Sequence, residues 1–119
     1  MRRLIFVLTG ALLLILSACT KYEIPTPPCP DGDTTAKFSA DIQTIFNNKC
    51  IVCHSGSQSP DLSDGWAYDE LIDGEYVDPD FPCESVLYQV FSGSHGMKGA
   101  TEEEVLQILG WIQDGAQDN

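Results

Sequence analysis

Positive charge is scarce in this chain. Six Lys and Arg stand against 18 Asp and Glu, a formal net charge of −12 over 119 residues. That balance excludes nucleic acid as a partner, because binding phosphate needs charge of the opposite sign. No segment shows the alternation of a half-buried strand, so a β domain is excluded too. The longest apolar run, Leu4 to Leu16, falls short of the roughly 18 residues wanted by a membrane-crossing helix. Among the five cysteines only Cys50 and Cys53 are closely spaced. A structural zinc site would want about two further ligands at similar spacing. A thioredoxin-like dithiol would want a βαβ pattern around the pair, and there is none.

The front of the chain reads as an export signal. Arg2 and Arg3 precede the apolar run, the layout of a secretory signal peptide. Leu16-Ser17-Ala18-Cys19 resembles the lipobox of bacterial lipoproteins. That resemblance implies cleavage before Cys19, lipid on Cys19 and attachment to a bilayer. The plainer reading is an ordinary signal peptide with Cys19 incidental. The expected organisation is a signal peptide over 1–18, a lipid anchor and Pro-rich tether over 19–37, and one domain over 38–119. The expected location is the cell envelope, with the domain in the periplasm or on the cell surface. Once the leader is gone, Lys21, Lys37, Lys49 and Lys98 are the cations left against all the carboxylates.

Outside the cytoplasm a thiol pair is oxidised, metal-bound or covalently capped. Here the pair runs Cys50-Ile51-Val52-Cys53-His54, the attachment signature for c-type haem. The spacing has a chemical reason. Each thiol adds across one haem vinyl group as a thioether, and positions i and i+3 of a helical turn share one face. His54 then sits beneath the iron as proximal ligand.

Around this motif the pattern is helical throughout. Ser39 is an expected N-cap with Asp41 in the first turn, and Ile42, Ile45 and Phe46 form one apolar face running into Cys50. A short helix is expected over 66–72 with Leu71 and Ile72 inward, and another over 84–91, with Ser85 near its start. The last helix has a capping box, Thr101 with Glu104, an apolar stripe of Val105, Ile108, Leu109 and Ile112, and Gly115 at its end. The stretches between are rich in Gly, Pro, Ser and Asp and read as loops. The fold class is therefore all-α: short helices and long loops, which a buried haem would organise. Pro25, Pro27, Pro28 and Pro30 make the preceding tether an extended one. Cys29 and Cys83 remain once lipid and haem have taken their cysteines. An even remainder suggests a disulfide, but sequence does not bring their Cα atoms together, and two separate residues stay open.

Residues 38–115 resemble a small class I, mitochondrial-type c-type cytochrome. The likeness rests on Phe46 four residues before Cys50, the Cys50–His54 motif, Pro60-Asp61-Leu62, Met97 in a glycine-rich loop, and Trp111-Ile112 with Gly115-Ala116. The order from Pro82 onward is similar to monohaem domains of exported planctomycete and Bacteroidetes proteins. The resemblance implies thioethers at Cys50 and Cys53, His54 as proximal ligand, the Pro60 carbonyl on its other ring nitrogen, and Met97 as distal ligand. It also implies that Phe46 and Trp111 pack where the first and last helices cross. Lys98 stands where the family has proline, which leaves His95 and an open site as alternatives to Met97. With both axial positions filled the chain would carry electrons and would not be an enzyme. Its acidic surface would favour a redox partner with a basic docking face. An open or His95-ligated site would instead suit a haem enzyme or gas sensor.

Overall fold

A computed structural model describes residues 28–93 and 100–119. Among the described residues there is no strand, and four α-helices carry the architecture. A π-helical turn, Phe38–Ile42, leads directly into α1, Gln43–Lys49. Helix α2 spans Ala67–Asp73. A 3-10 turn, Pro82–Glu84, precedes α3, Val86–Ser92, and α4 is Glu102–Gln113. The all-α class of short helices and long loops is the one found.

The core gathers where the opening turn meets the last helix. Phe46 and Trp111 are both fully buried, as are Ile42, Ile108 and Ile112. The ring of Phe38 lies between the two aromatics, 6.4 Å from Phe46 and 5.3 Å from Trp111, and 5.2 Å from Tyr68. Such edge-on and tilted aromatic contacts add about 0.5–1.5 kcal/mol each beyond area burial. The polar tips of the buried rings are satisfied: Trp111 Nε1 donates to Gln117 O at 2.8 Å and Tyr68 Oη to Ala116 O at 3.1 Å.

The helix ends follow their chemistry, with two corrections. Thr101 and Glu104 form the expected capping box, at 3.2 and 2.7 Å. At the far end Gly115 adopts φ +93°. Its N–H bonds Ile112 O and that of Ala116 bonds Trp111 O, the Schellman closure that glycine permits. Ser39 is not an N-cap. The helix begins earlier, at Phe38, and the N–H groups of Phe38 and Ser39 are taken by Asn119, through Oδ1 and O. Ile72 is not inward either: Leu71 is 0% exposed and Ile72 is 39%. Consecutive helical residues lie about 100° apart, and on α2 the core lies on the side of Ala67 and Leu71, one turn apart, which leaves Ile72 at its edge.

The end of the expected tether also behaves differently. Residues 29–33 lie along α4. Gly32 N–H donates to Gln113 Oε1, Asp33 N–H to Leu106 O, and Gln113 Nε2 to Pro30 O, at 2.8, 2.8 and 2.9 Å. The approach is backbone on backbone. A Cβ on Gly110 would fall 2.1 Å from the Asp33 carbonyl, and one on Gly32 2.1 Å from Gly110 N. Cys29 is bonded to Cys83, with Cα atoms 5.8 Å apart. The proline content read as an extended linker, but two glycines facing each other let the strap close on the domain.

Candidate haem site

Helix α1 ends at Lys49, with Cys50 as its C-cap. The chain then makes a tight turn: Cys50 N–H bonds Phe46 O at 2.8 Å, and Cys53 and His54 N–H both bond Cys50 O, at 3.1 and 2.9 Å. The i, i+3 spacing of the two cysteines is thus held in helical form. Cys50 is buried and Cys53 exposed, and they are not joined to one another. Burial pushes the Cys50 thiol up to about 11. This position suits no redox dithiol, whose attacking thiolate is favoured at a helix N-terminus. Here the pair follows a C-terminus, where the helix dipole opposes negative charge.

His54 is fixed from two directions. Its carbonyl accepts Leu62 N–H at 2.8 Å, and its ring Nδ1 lies 3.0 Å from the Pro60 carbonyl. A carbonyl has no proton to give, so that contact places the ring hydrogen on Nδ1. In the neutral ring that tautomer leaves the lone pair on Nε2, the nitrogen a metal would take. The 54–62 loop is braced by Gln43, a buried side chain whose Nε2 donates to Leu62 O at 2.9 Å. Asp61 accepts from Ser63 N–H and Oγ, and these bonds hold its carboxyl below the usual range. The Ser59–Pro60 bond is cis.

Cys50, His54 and Pro60 share a cleft of about 230 Å³. Leu62, Leu71, Val86, Leu87, Val90 and Phe91 form most of its wall, with Gln58, Ser59 and Tyr76 as further polar members. None of the described lining residues carries a formal charge. Val86 is 47% exposed because it borders this opening. Helix α3 supplies four of the wall residues, and its start is held by Leu87 N–H to Tyr76 O at 3.0 Å. Ser85 is buried and ties back to Asp78, accepting its N–H at 2.8 Å. Across the turn from the cleft, Lys49 pairs with Glu104 at 3.3 Å.

The donor set and the wall fit a haem. An apolar slot would take the macrocycle, the buried Cys50 thiol would meet one vinyl, and the oriented imidazole would offer Nε2. Cys53 is not among the lining residues. Met97, His95 and Cys19 lie outside the described residues. Among the described residues no group of three or more His, Cys, Asp or Glu could hold a metal ion, so protein ligands alone assemble no closed site there. Sequence reading missed Gln43, Tyr76 and the strap. Gln43 carries no motif. Tyr76 could have been noticed as an aromatic after the helix-ending Asp73-Gly74.

Comparison with known proteins gives one informative likeness. The chain is similar to "Cytochrome c6, chloroplastic" of Chlamydomonas reinhardtii, 28% identical over 78 residues, covering 62% of this chain and 52% of that protein. It spans about half the length of this relative. No family model matches, and no solved structure does.

Proposed function

We propose that this chain is an electron-transfer c-type cytochrome with one covalent haem, anchored by lipid on Cys19 at the cell envelope. The observation that carries the reading is the pairing of His54 Nδ1 with Pro60 O at 3.0 Å beside a buried Cys50 in one largely apolar cleft. The distant likeness to a cytochrome supports it.

Cys50 and Cys53 would hold the group through thioethers, and His54 would bind its metal. Bound haem supplies one-electron chemistry at iron. The chain's own residues then have three tasks. Pro60 orients the imidazole and raises its basicity. The leucine, valine and phenylalanine wall excludes water, which keeps rearrangement around the metal small. Met97 fills the distal position in our reading, and its thioether raises the potential relative to a second imidazole. The acidic surface steers the carrier toward a basic face on its partner, more strongly at low salt.

The test is the full chain exported alongside haem-attachment machinery. Intact mass should show one porphyrin per chain, and the ferric spectrum should be low-spin with a methionine–iron charge-transfer band. Met97→Ala should convert the haem to high spin, and His95→Ala should leave it unchanged. A colourless protein with Cys50 and Cys53 unmodified refutes the haem. High-spin ferric haem in the parent, or ready carbon monoxide binding when reduced, refutes the closed carrier.

A further inference from the structure

With Cys19 taken by lipid, four cysteines remain, and four can pair in three ways. One way joins Cys29 to Cys83 and leaves the motif pair to itself, and in the structure both motif thiols are free. The other two ways cross Cys29 and Cys83 with Cys50 and Cys53. Addition to a haem vinyl needs an S–H, and a sulfur already in a disulfide has none. Either crossed arrangement would therefore block the attachment motif. Resting on the haem reading above, we propose that the strap is a maturation device: by seating Cys29 against Cys83 it keeps both of those thiols away from Cys50 and Cys53 until haem is attached.

Chain statistics work against the observed bond. Cys29 and Cys83 lie 54 residues apart. Cys29 with Cys50, or Cys53 with Cys83, would close a loop roughly half as long, which loop entropy favours by about two- to four-fold. The fold reverses that preference. Gln113 holds the strap from both sides, accepting Gly32 N–H and donating to Pro30 O, at 2.8 and 2.9 Å, and Asp33 N–H bonds Leu106 O. These contacts begin at the residue after Cys29, so they fix where its side chain starts. Cys83 is fixed independently. It lies in the 3-10 turn Pro82–Glu84, where Glu84 and Ser85 N–H both bond Phe81 O, at 2.9 and 3.2 Å, and Ser85 is tied back to Asp78. The two Cα atoms stand 5.8 Å apart, inside the range a disulfide spans. Closing the bond passes two electrons and two protons from the thiols to a disulfide oxidant of the export compartment, which leaves as a dithiol. The motif itself is shielded unequally. Cys50 is buried and Cys53 is exposed, so Cys53 is the sulfur a stray thiol would find.

The experiment uses the full chain exported with haem-attachment machinery, as parent, Cys29→Ser, Cys83→Ser and the double variant. All three variants lack the same bond, so lost stability is common to them, and only the single variants carry an orphan thiol. Porphyrin per chain, read by intact mass, should be lost most in the two single variants and recover in the double variant. Peptide mapping after thiol blocking, on chains exported without that machinery, should find Cys29 joined to Cys83 in the parent. In the single variants it should find the orphan joined chiefly to Cys53, of the same chain or another. Single variants that keep the parent's loading overturn the device. So does an orphan found free or joined to neither Cys50 nor Cys53, and so does a parent whose Cys29 is not joined to Cys83. Where all three variants lose haem equally the mapping decides, because it reads covalent bonds and needs no fold. A parent chain without porphyrin overturns the haem reading instead, a different failure.

Discussion

Gly110→Ala is expected to destabilise this protein, against the usual rule for a helix. Alanine in place of glycine in a helix interior ordinarily gains about 1 kcal/mol. Here the new Cβ would stand 2.1 Å from Asp33 C and O and 2.4 Å from Asp33 N. These are backbone atoms, with no rotamer to escape into, so the strap must leave α4. Its departure breaks three hydrogen bonds, Gly32 to Gln113, Asp33 to Leu106 and Gln113 to Pro30, each contributing about 1 kcal/mol. The net expectation is a loss of about 2 kcal/mol. Urea unfolding followed by circular dichroism should show a midpoint lower by about 1–2 M, at the slopes usual for domains of this size. Gly32→Ala approaches the same contact from the other side and should move the midpoint the same way. A Gly110→Ala midpoint at or above the parent would refute the strap, since only the helix-propensity gain would then be felt.

Replacing Cys29 and Cys83 together by serine should cost about 4 kcal/mol, from the loop entropy of a 54-residue separation; thermal unfolding of parent and double variant checks it. Burial pushes Glu104 up, but the Thr101 N–H and hydroxyl and the Lys49 ammonium outweigh it and hold its carboxyl below the usual range. A depressed carboxylate contributes stability that is present above its unfolded pKa and lost as pH falls through the lower folded one. Glu104→Gln should therefore flatten the acid limb of the stability–pH curve, read by urea midpoints across that range. Phe46→Ala removes a fully buried ring that touches Phe38 and Phe91 and should cost about 3–5 kcal/mol, seen as a lowered unfolding midpoint.

The parts of this protein legible in its sequence are those with local physical causes. The capping box at Thr101 and Glu104 and the Gly115 closure depend on neighbours within a turn, so their spacing sufficed. The position of His54 behind a short turn was legible for the same reason. What was hidden depends on distant partners. Ser39 gives way to Asn119 because the far end of the chain happens to fold back onto it. Ile72 is outward because packing against distant elements puts Ala67 and Leu71 on the buried side of α2, which the local pattern does not encode. The strap was hidden because its glycines signal a turn when read singly. Only the pairing of Gly32 with Gly110 across 78 residues makes them a contact. Tyr76 was hidden because its place in the cleft wall depends on how α2 and α3 come together, which periodicity does not encode.

The Cys29–Cys83 link also decides how this molecule takes a pull. Tension applied to the chain ahead of Cys29 has two routes into the body. One runs along residues 30–37, held by single hydrogen bonds that could be unzipped one at a time. The other runs across a covalent bond to the turn ahead of α3. The covalent route is the shorter and stiffer, so it bears the load while the strap behind it stays slack. Helix α1 and the Cys50–His54 turn then lie off the line of force, and a domain tugged by its leading end would yield last at its cleft floor.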